Sequence, residues 1–285
     1  MAKILRGAPV AEAMTEALKP RAEALRARGV AAKLAILRVG ERADDMSYEQ
    51  AAVKRCAAVG IEVESVALPL SVTQSELTAA IERLNNDAGV HGVLMFLPLP
   101  KTLDEKAACA ALKPSKDVDG ITAGSLAKVY SGSGEGYSPC TAQSVMELLR
   151  YYGVDVSGKR AAVIGRSLVI GRPVSMLLMA ANATVTICQS GTVDLPSVTR
   201  EADIVVAALG RGESIGAEYF SPGQTVIDVG VNYSEAKRKL VGDVDFEGAE
   251  RRVKAISPIP GGVGSVTAAV LCAHVLEAAE KGTPK

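Results

Sequence analysis

The sequence predicts an α/β protein of two domains, each a parallel sheet flanked by helices. Three observations predict it. Apolar runs with helical spacing alternate with short apolar strand-like runs along most of the chain, its 285 residues exceed one ordinary domain, and the Gly/Ser-rich segment SGSGEGYSP at 131–139 interrupts the alternation near its middle.

In the first half, residues 8–28 repeat their apolar positions at helical intervals, and 32–39 (AKLAILRV) reads as a buried strand ending at Gly40. The pattern continues as a helix over 47–59, a strand over 62–68, a helix over 74–85 and a strand over 92–97 that stops at Pro98. After the Gly/Ser segment a helix is expected over 141–152, then strands at 160–164, 184–187, 204–207 and 225–229. Such alternation places helices on the faces of a parallel sheet. The last helix, over 265–281, is expected to pack back on the first domain, which gives 1–142 plus 267–285 as one domain and 143–266 as the other.

Composition narrows the function classes. A hydrophobic content of 48% with only 4% aromatic residues and no Trp implies an aliphatic core. The 32 basic and 32 acidic residues cancel, without a run of five like charges, which argues against nucleic acid or an anionic membrane as a partner. No stretch approaches the ~18–20 apolar residues of a membrane span, and Glu12 and Glu16 interrupt the N-terminus, so a cytoplasmic protein is expected. Five cysteines, scattered and without a CxxC pair, suggest neither a disulfide framework nor a metal site.

The strand RAAVIG leads into Gly165, Arg166 and Ser167, then Gly171 and Pro173, where a helix opens. The strand, turn and helix follow in the order a dinucleotide site requires, although the spacing is GRSxxxGxP rather than GxGxxG. Gly165 permits a sharp turn, Gly171 a close backbone approach, and the helix N-terminus offers N–H groups to phosphates. At the end of the next strand stand Cys188, Gln189, Ser190, Gly191 and Thr192, with no carboxylate to take the ribose hydroxyls of NAD. Arg166 and Ser190 suit the extra phosphate of NADP, so the C-terminal domain is expected to be of Rossmann type and to prefer NADP, with NAD possible.

With these motifs the chain resembles the methylenetetrahydrofolate dehydrogenase/cyclohydrolase family along nearly its whole length. The resemblance is carried by VGERADDMSY (39–48), GVLMFLPLP (92–100), PSKDVDG (114–120), SPCTAQ (138–143), GKRAAVIGRSLVIGRPV (158–174), VIDVGVN (226–232), GDVDF (242–246) and PIPGGVGSVT (258–267). It implies an N-terminal folate-binding catalytic domain, tetrahydrofolate derivatives held in a cleft, an oxidoreductase role in one-carbon metabolism, and a homodimer. It also implies that Asp119 is the pterin-binding carboxylate, suited to two parallel hydrogen bonds, and that Tyr48 stacks on the folate. By the same resemblance Pro258, Gly261, Gly262 and Gly264 face substrate and nicotinamide.

Two departures bear on activity. Members that also hydrolyse the methenyl product carry a Lys four residues after the Tyr and a Gln before LPLP; here these are Ala52 and Phe96. Lys54 lies roughly 240° from Tyr48 around a helix and does not replace the amine. Hydride loss needs no proton abstracted, whereas hydrolysis needs a tuned general acid/base. A dehydrogenase with weak or absent cyclohydrolase activity is therefore expected, with the bifunctional enzyme or a catalytically silent folate- or nucleotide-binding protein as alternatives.

Overall fold

The computed structural model describes residues 1–282. By contact the described residues divide into two compact units, one of 1–11 with 141–267, the other of 12–140 with 268–282. This differs from the expected division at the start of the chain, and the final residues of the expected first domain, 283–285, lie outside the described residues. The reason lies in two very short strands: β1 (Lys3–Ile4) pairs in parallel with β11 (Ala255–Ile256), and Leu5 N–H reaches the Ile256 carbonyl at 2.8 Å. Two-residue strands leave no alternation to read in a sequence.

The unit around 12–140 is built on a parallel sheet in the order β3-β2-β4, with β2 at Lys33–Val39, β3 at Glu62–Leu68 and β4 at Gly92–Met95. The central strand is apolar at successive positions because both its faces are covered, and Leu34, Ile36 and Leu37 are fully buried. Its helices are α1 (Gly7–Ala27), α2 (Ala43–Val59), α3 (Gln74–Asn86), α4 (Glu105–Ala111), α5 (Ala123–Ser131) and α10 (Thr267–Gly282). A capping box between Thr73 and Glu76 starts α3, while the side chains of Asp104 and Thr122 cap α4 and α5. Phe96 N–H still bonds the Leu37 carbonyl at 3.0 Å, so β4 delivers Phe96 at its carboxyl end.

The unit containing 141–267 holds a six-stranded parallel sheet. Besides β1 and β11 its strands are β5 (Arg160–Ile164), β6 (Thr184–Cys188), β7 (Ile204–Ala207) and β8 (Thr225–Asp228), in the order β1-β11-β8-β7-β5-β6. Helices α6 (Cys140–Tyr151), α7 (Gly171–Ala180), α8 (Leu195–Arg200) and α9 (Phe246–Glu250) accompany it, with an antiparallel hairpin of β9 (Asn232–Ser234) and β10 (Lys239–Val241). The chain leaves β5 toward β6 on one side and continues to β7 on the other, so the strand order reverses beside β5. Open α/β sheets bind ligands at the carboxyl ends of the strands at this point. No helix among the described residues is long and apolar enough to cross a membrane.

Candidate active site

Helix α2 places Tyr48 and Ala52 one turn apart. The half-buried Tyr48 ring meets Phe96 edge to face, with centroids 5.7 Å apart and planes at 70°. Ala52 is fully buried and Lys54 exposed, as the helical angles require. Along the same helix Glu49 forms a nearly buried ion pair with Arg38 at 2.9 Å and accepts from Ser65 Oγ at 2.5 Å. The Glu49 carboxylate is thereby held toward the sheet.

The two carboxylates of KDVDG do different work. Asp117 is fully buried and accepts from the N–H groups of Gly120, Ile121 and Thr122 and from Ser125 Oγ, at 2.6–3.0 Å. It ties the turn to the start of α5. At Gly120, φ is +75° and a Cβ would strike the Pro139 backbone, which explains why DVDG and SPC occur together. Asp119 is half-buried, with the Cys140 thiol as a hydrogen-bond partner. Burial pushes its carboxyl up to about 7; the thiol hydrogen bond works against this and the neighbouring Asp117 charge adds to it.

On the β5 to α7 turn, Gly165 adopts φ +122°, and a side chain there would collide with the Ala208 carbonyl. A Cβ at Gly171 would in turn collide with the Gly165 carbonyl, so both glycines are required by close backbone-to-backbone approach within the turn. Ser167 Oγ accepts from Ile170 N–H at 3.2 Å and Gly171 N–H at 3.4 Å. The first amides of α7 therefore point at Ser167 rather than standing free, contrary to the simple expectation from a helix N-terminus. Arg166 and Ser190 are exposed. Each follows its strand by two residues, and the pairing of Ile164 with Cys188 puts them at the same end of adjacent strands. Beside them the Gln189 Oε1 atom is buried without a hydrogen-bond partner. An orphaned buried acceptor adjoining Ser190 in the chain fits a ligand that brings a donor, such as a ribose hydroxyl, to this position.

Sequence reasoning missed two buried aspartates that shape the neighbouring loops. Asp243, fully buried, accepts from the N–H groups of Leu209, Gly210 and Arg211 after β7 and from Asn232 Nδ2. Asp228, at the end of β8, accepts from the amides of Gly230, Asp243 and Val244. Burial pushes the Asp228 carboxyl up to about 7 against those amides, and the Asp243 charge adds to the rise. The glycines of VIDVGVN and GDVDF carried the signal, since a side chain at Gly230 would strike Asp243 and one at Gly242 would strike Asp228. Pro258, Gly261 and Gly262 lie on the loop after β11 and Gly264 in the 3-10 turn Val263–Ser265 that follows it; the Gly261 carbonyl receives Gly7 N–H at 2.8 Å. Pro258 is half-buried, Gly262 buried, and Gly261 and Gly264 exposed. Among the described residues no group of three or more His, Cys, Asp or Glu is arranged to hold a metal ion.

Comparison with known proteins adds to this geometry. Residues 5–119 match the family description "Tetrahydrofolate dehydrogenase/cyclohydrolase, catalytic domain", and residues 139–283 match its NAD(P)-binding domain. The chain is 48% identical over 281 residues to the bifunctional protein FolD of Carboxydothermus hydrogenoformans, covering 98% of each. The crystal structure of the bifunctional FolD methylenetetrahydrofolate dehydrogenase/cyclohydrolase from Campylobacter jejuni superposes with a TM-score of 0.94 at 36% identity, covering 99% of each chain. That of the Trypanosoma brucei methylenetetrahydrofolate dehydrogenase-cyclohydrolase, complexed with NADP and an inhibitor, superposes with a TM-score of 0.90 at 36% identity, covering 98% of each.

Proposed function

The chain belongs to the tetrahydrofolate dehydrogenase/cyclohydrolase family, and from that premise we propose that it oxidises 5,10-methylenetetrahydrofolate to 5,10-methenyltetrahydrofolate, with NADP as acceptor, in one-carbon metabolism. The observation that carries the reading is the contrast within KDVDG. Asp117 is consumed by the turn, while the half-buried Asp119 has the Cys140 thiol as its hydrogen-bond partner and is suited to a pterin's paired N–H donors. Tyr48, with its ring edge-to-face against Phe96, provides an aromatic face for the folate, and the family resemblance assigns Pro258, Gly261, Gly262 and Gly264 to substrate and nicotinamide.

When bound, the nicotinamide supplies the hydride acceptor. The substrate nitrogens beside the methylene carbon push the hydride out, so the protein's task is positioning rather than proton abstraction. Gly165 and Gly171 let the turn after β5 fold tightly where the pyrophosphate is to bind, Ser167 shapes that turn, and Arg166 with Ser190 binds the additional phosphate of NADP. We further read the protein as a cytoplasmic homodimer, on the strength of the family resemblance and its balanced charge.

The hydrolysis step admits two readings. Curated relatives 43–48% identical over nearly the full chain are named bifunctional, and this supports methenyltetrahydrofolate hydrolysis as a second activity ahead of the expectation that it is weak or absent. One observation favours the dehydrogenase alone: Ala52 is fully buried and Phe96 is apolar where a proton-transfer pair is expected, with Lys54 exposed to solvent. Loss of methenyl absorbance, followed without dinucleotide in the presence and absence of protein, separates the two. Decay faster than buffer supports bifunctionality, and decay at the buffer rate supports the dehydrogenase alone.

A further inference from the structure

Beneath the turn that carries Asp119, two side chains converge on one backbone oxygen. His274, on α10 and only 8% exposed, places Nδ1 2.8 Å from the Val118 carbonyl. A carbonyl only accepts, so Nδ1 carries the proton. The Cys140 thiol, at the start of α6 and 2% exposed, lies 3.3 Å from the same oxygen and also hydrogen-bonds the Asp119 carboxylate. A thiol has one proton to give. The thiol therefore has two acceptors for one proton, the Val118 carbonyl at 3.3 Å and the Asp119 carboxylate, and the imidazole N–H, by already satisfying the carbonyl, tips that proton toward the carboxylate. Tyr137 packs on the imidazole with ring centroids 5.1 Å apart, which fixes its plane. Burial lowers the His274 pKa, in keeping with a neutral ring.

We infer that His274 and Cys140 are positioning residues for the folate site: the imidazole N–H anchors the Val118 carbonyl, and the thiol proton aims the Asp119 carboxylate at its ligand. The inference rests on the reading of Asp119 as the pterin-binding carboxylate. Val118 lies between the two aspartates of the turn, so the orientation of its carbonyl sets the peptide plane from which Asp119 projects. Loss of the imidazole N–H acts twice. It frees that peptide, and it leaves a buried acceptor that draws the thiol proton away from the carboxylate. Neither residue touches folate in this account.

Steady-state kinetics on the full-length protein test it through a cycle of His274→Ala, Asp119→Asn and the double variant, with His274→Asn as the conservative control. His274→Ala is expected to raise KM for methylenetetrahydrofolate about tenfold, the scale of one buried hydrogen bond, with KM for NADP and kcat little changed. His274→Asn keeps an N–H near the Nδ1 position and should recover most of that loss. The double variant should be no worse than Asp119→Asn, because both changes act on one interaction. If Asp119→Asn raises the folate KM while His274→Ala does not, or if the two losses add fully, the positioning role is overturned and the Asp119 reading stands. If Asp119→Asn itself leaves the folate KM unchanged, the folate reading of Asp119 fails and the inference falls with it.

A measurement on the unmodified protein guards against variants that fail to fold. The chain has two histidines, and His91 Nδ1 accepts from Lys33 N–H at 3.1 Å, the opposite tautomer from His274. Histidine ¹⁵N chemical shifts should therefore show one Nδ1–H and one Nε2–H imidazole. Two Nε2–H rings would overturn the arrangement.

Discussion

The Phe96 ring stands edge-on to Tyr48, 5.7 Å between centroids, one helical turn from the buried Ala52. An apolar wall thus occupies the position where a proton-transfer pair is expected. The bifunctional reading expects enzymatic loss of methenyl absorbance in spite of that wall, through a group other than position 52. Under the dehydrogenase-only reading the unmodified protein matches buffer. The double change Ala52→Lys with Phe96→Gln then gains up to about 10²–10⁴-fold, while Ala52→Lys alone gains little because Phe96 disfavours a nearby ammonium.

Asp119 gives the folate site a pH signature. Its carboxyl is pushed up to about 7, so it is ionised above that pH and protonated below it, and only the ionised form accepts two hydrogen bonds. Folate KM should be lowest above about pH 7.5 and rise as pH falls, approaching tenfold per unit. Asp119→Asn should weaken folate by about 2 kcal/mol, abolish this dependence and spare NADP. A pH-independent folate KM in the unmodified protein would remove Asp119 from the binding step.

Arg166 is exposed, so its contribution to phosphate binding is at the lower end for a charge-assisted contact. Arg166→Ala is expected to raise KM for NADP by about tenfold, about 1.5 kcal/mol, and to change KM for NAD less. Equal losses with the two dinucleotides would show that Arg166 does not read the additional phosphate.

Asp243 contributes to stability by holding the loop after β7. Removing its carboxylate in Asp243→Ala strands the Leu209, Gly210 and Arg211 amides, some of which water can reach. A loss of about 2–4 kcal/mol is expected in urea unfolding. A loss under about 0.5 kcal/mol would show that the loop keeps its shape without the carboxylate.

Much of this was legible in the sequence, for identifiable reasons. The buried strands β2, β5, β7 and β8 stood out because burial on both faces demands continuous apolar runs. Gly165 and Asp119 were found because a sharp turn and a paired-donor ligand each demand a particular residue type. Helix α2 begins at Ala43 rather than 47 because the polar ADD segment gives no apolar period, and α4, α5 and α8 are too short to show one. Asp117, Asp228 and Asp243 were missed for a different reason. An acidic residue is read as exposed unless its partners are known, and here the partners are backbone amides that no side-chain pattern announces. His274 left only a faint trace, a polar ring within an otherwise apolar stretch of the last helix.

Hydride transfer from methylenetetrahydrofolate to a dinucleotide is tested by assaying the purified protein with NADP and NAD in parallel. Formation of reduced dinucleotide is followed together with formation of the methenyl product. Turnover is expected, with kcat/KM higher for NADP than for NAD. Equal or better use of NAD would contradict the roles given to Arg166 and Ser190, and absence of turnover with both would contradict the dehydrogenase assignment and leave a protein that binds folate or nucleotide without catalysis.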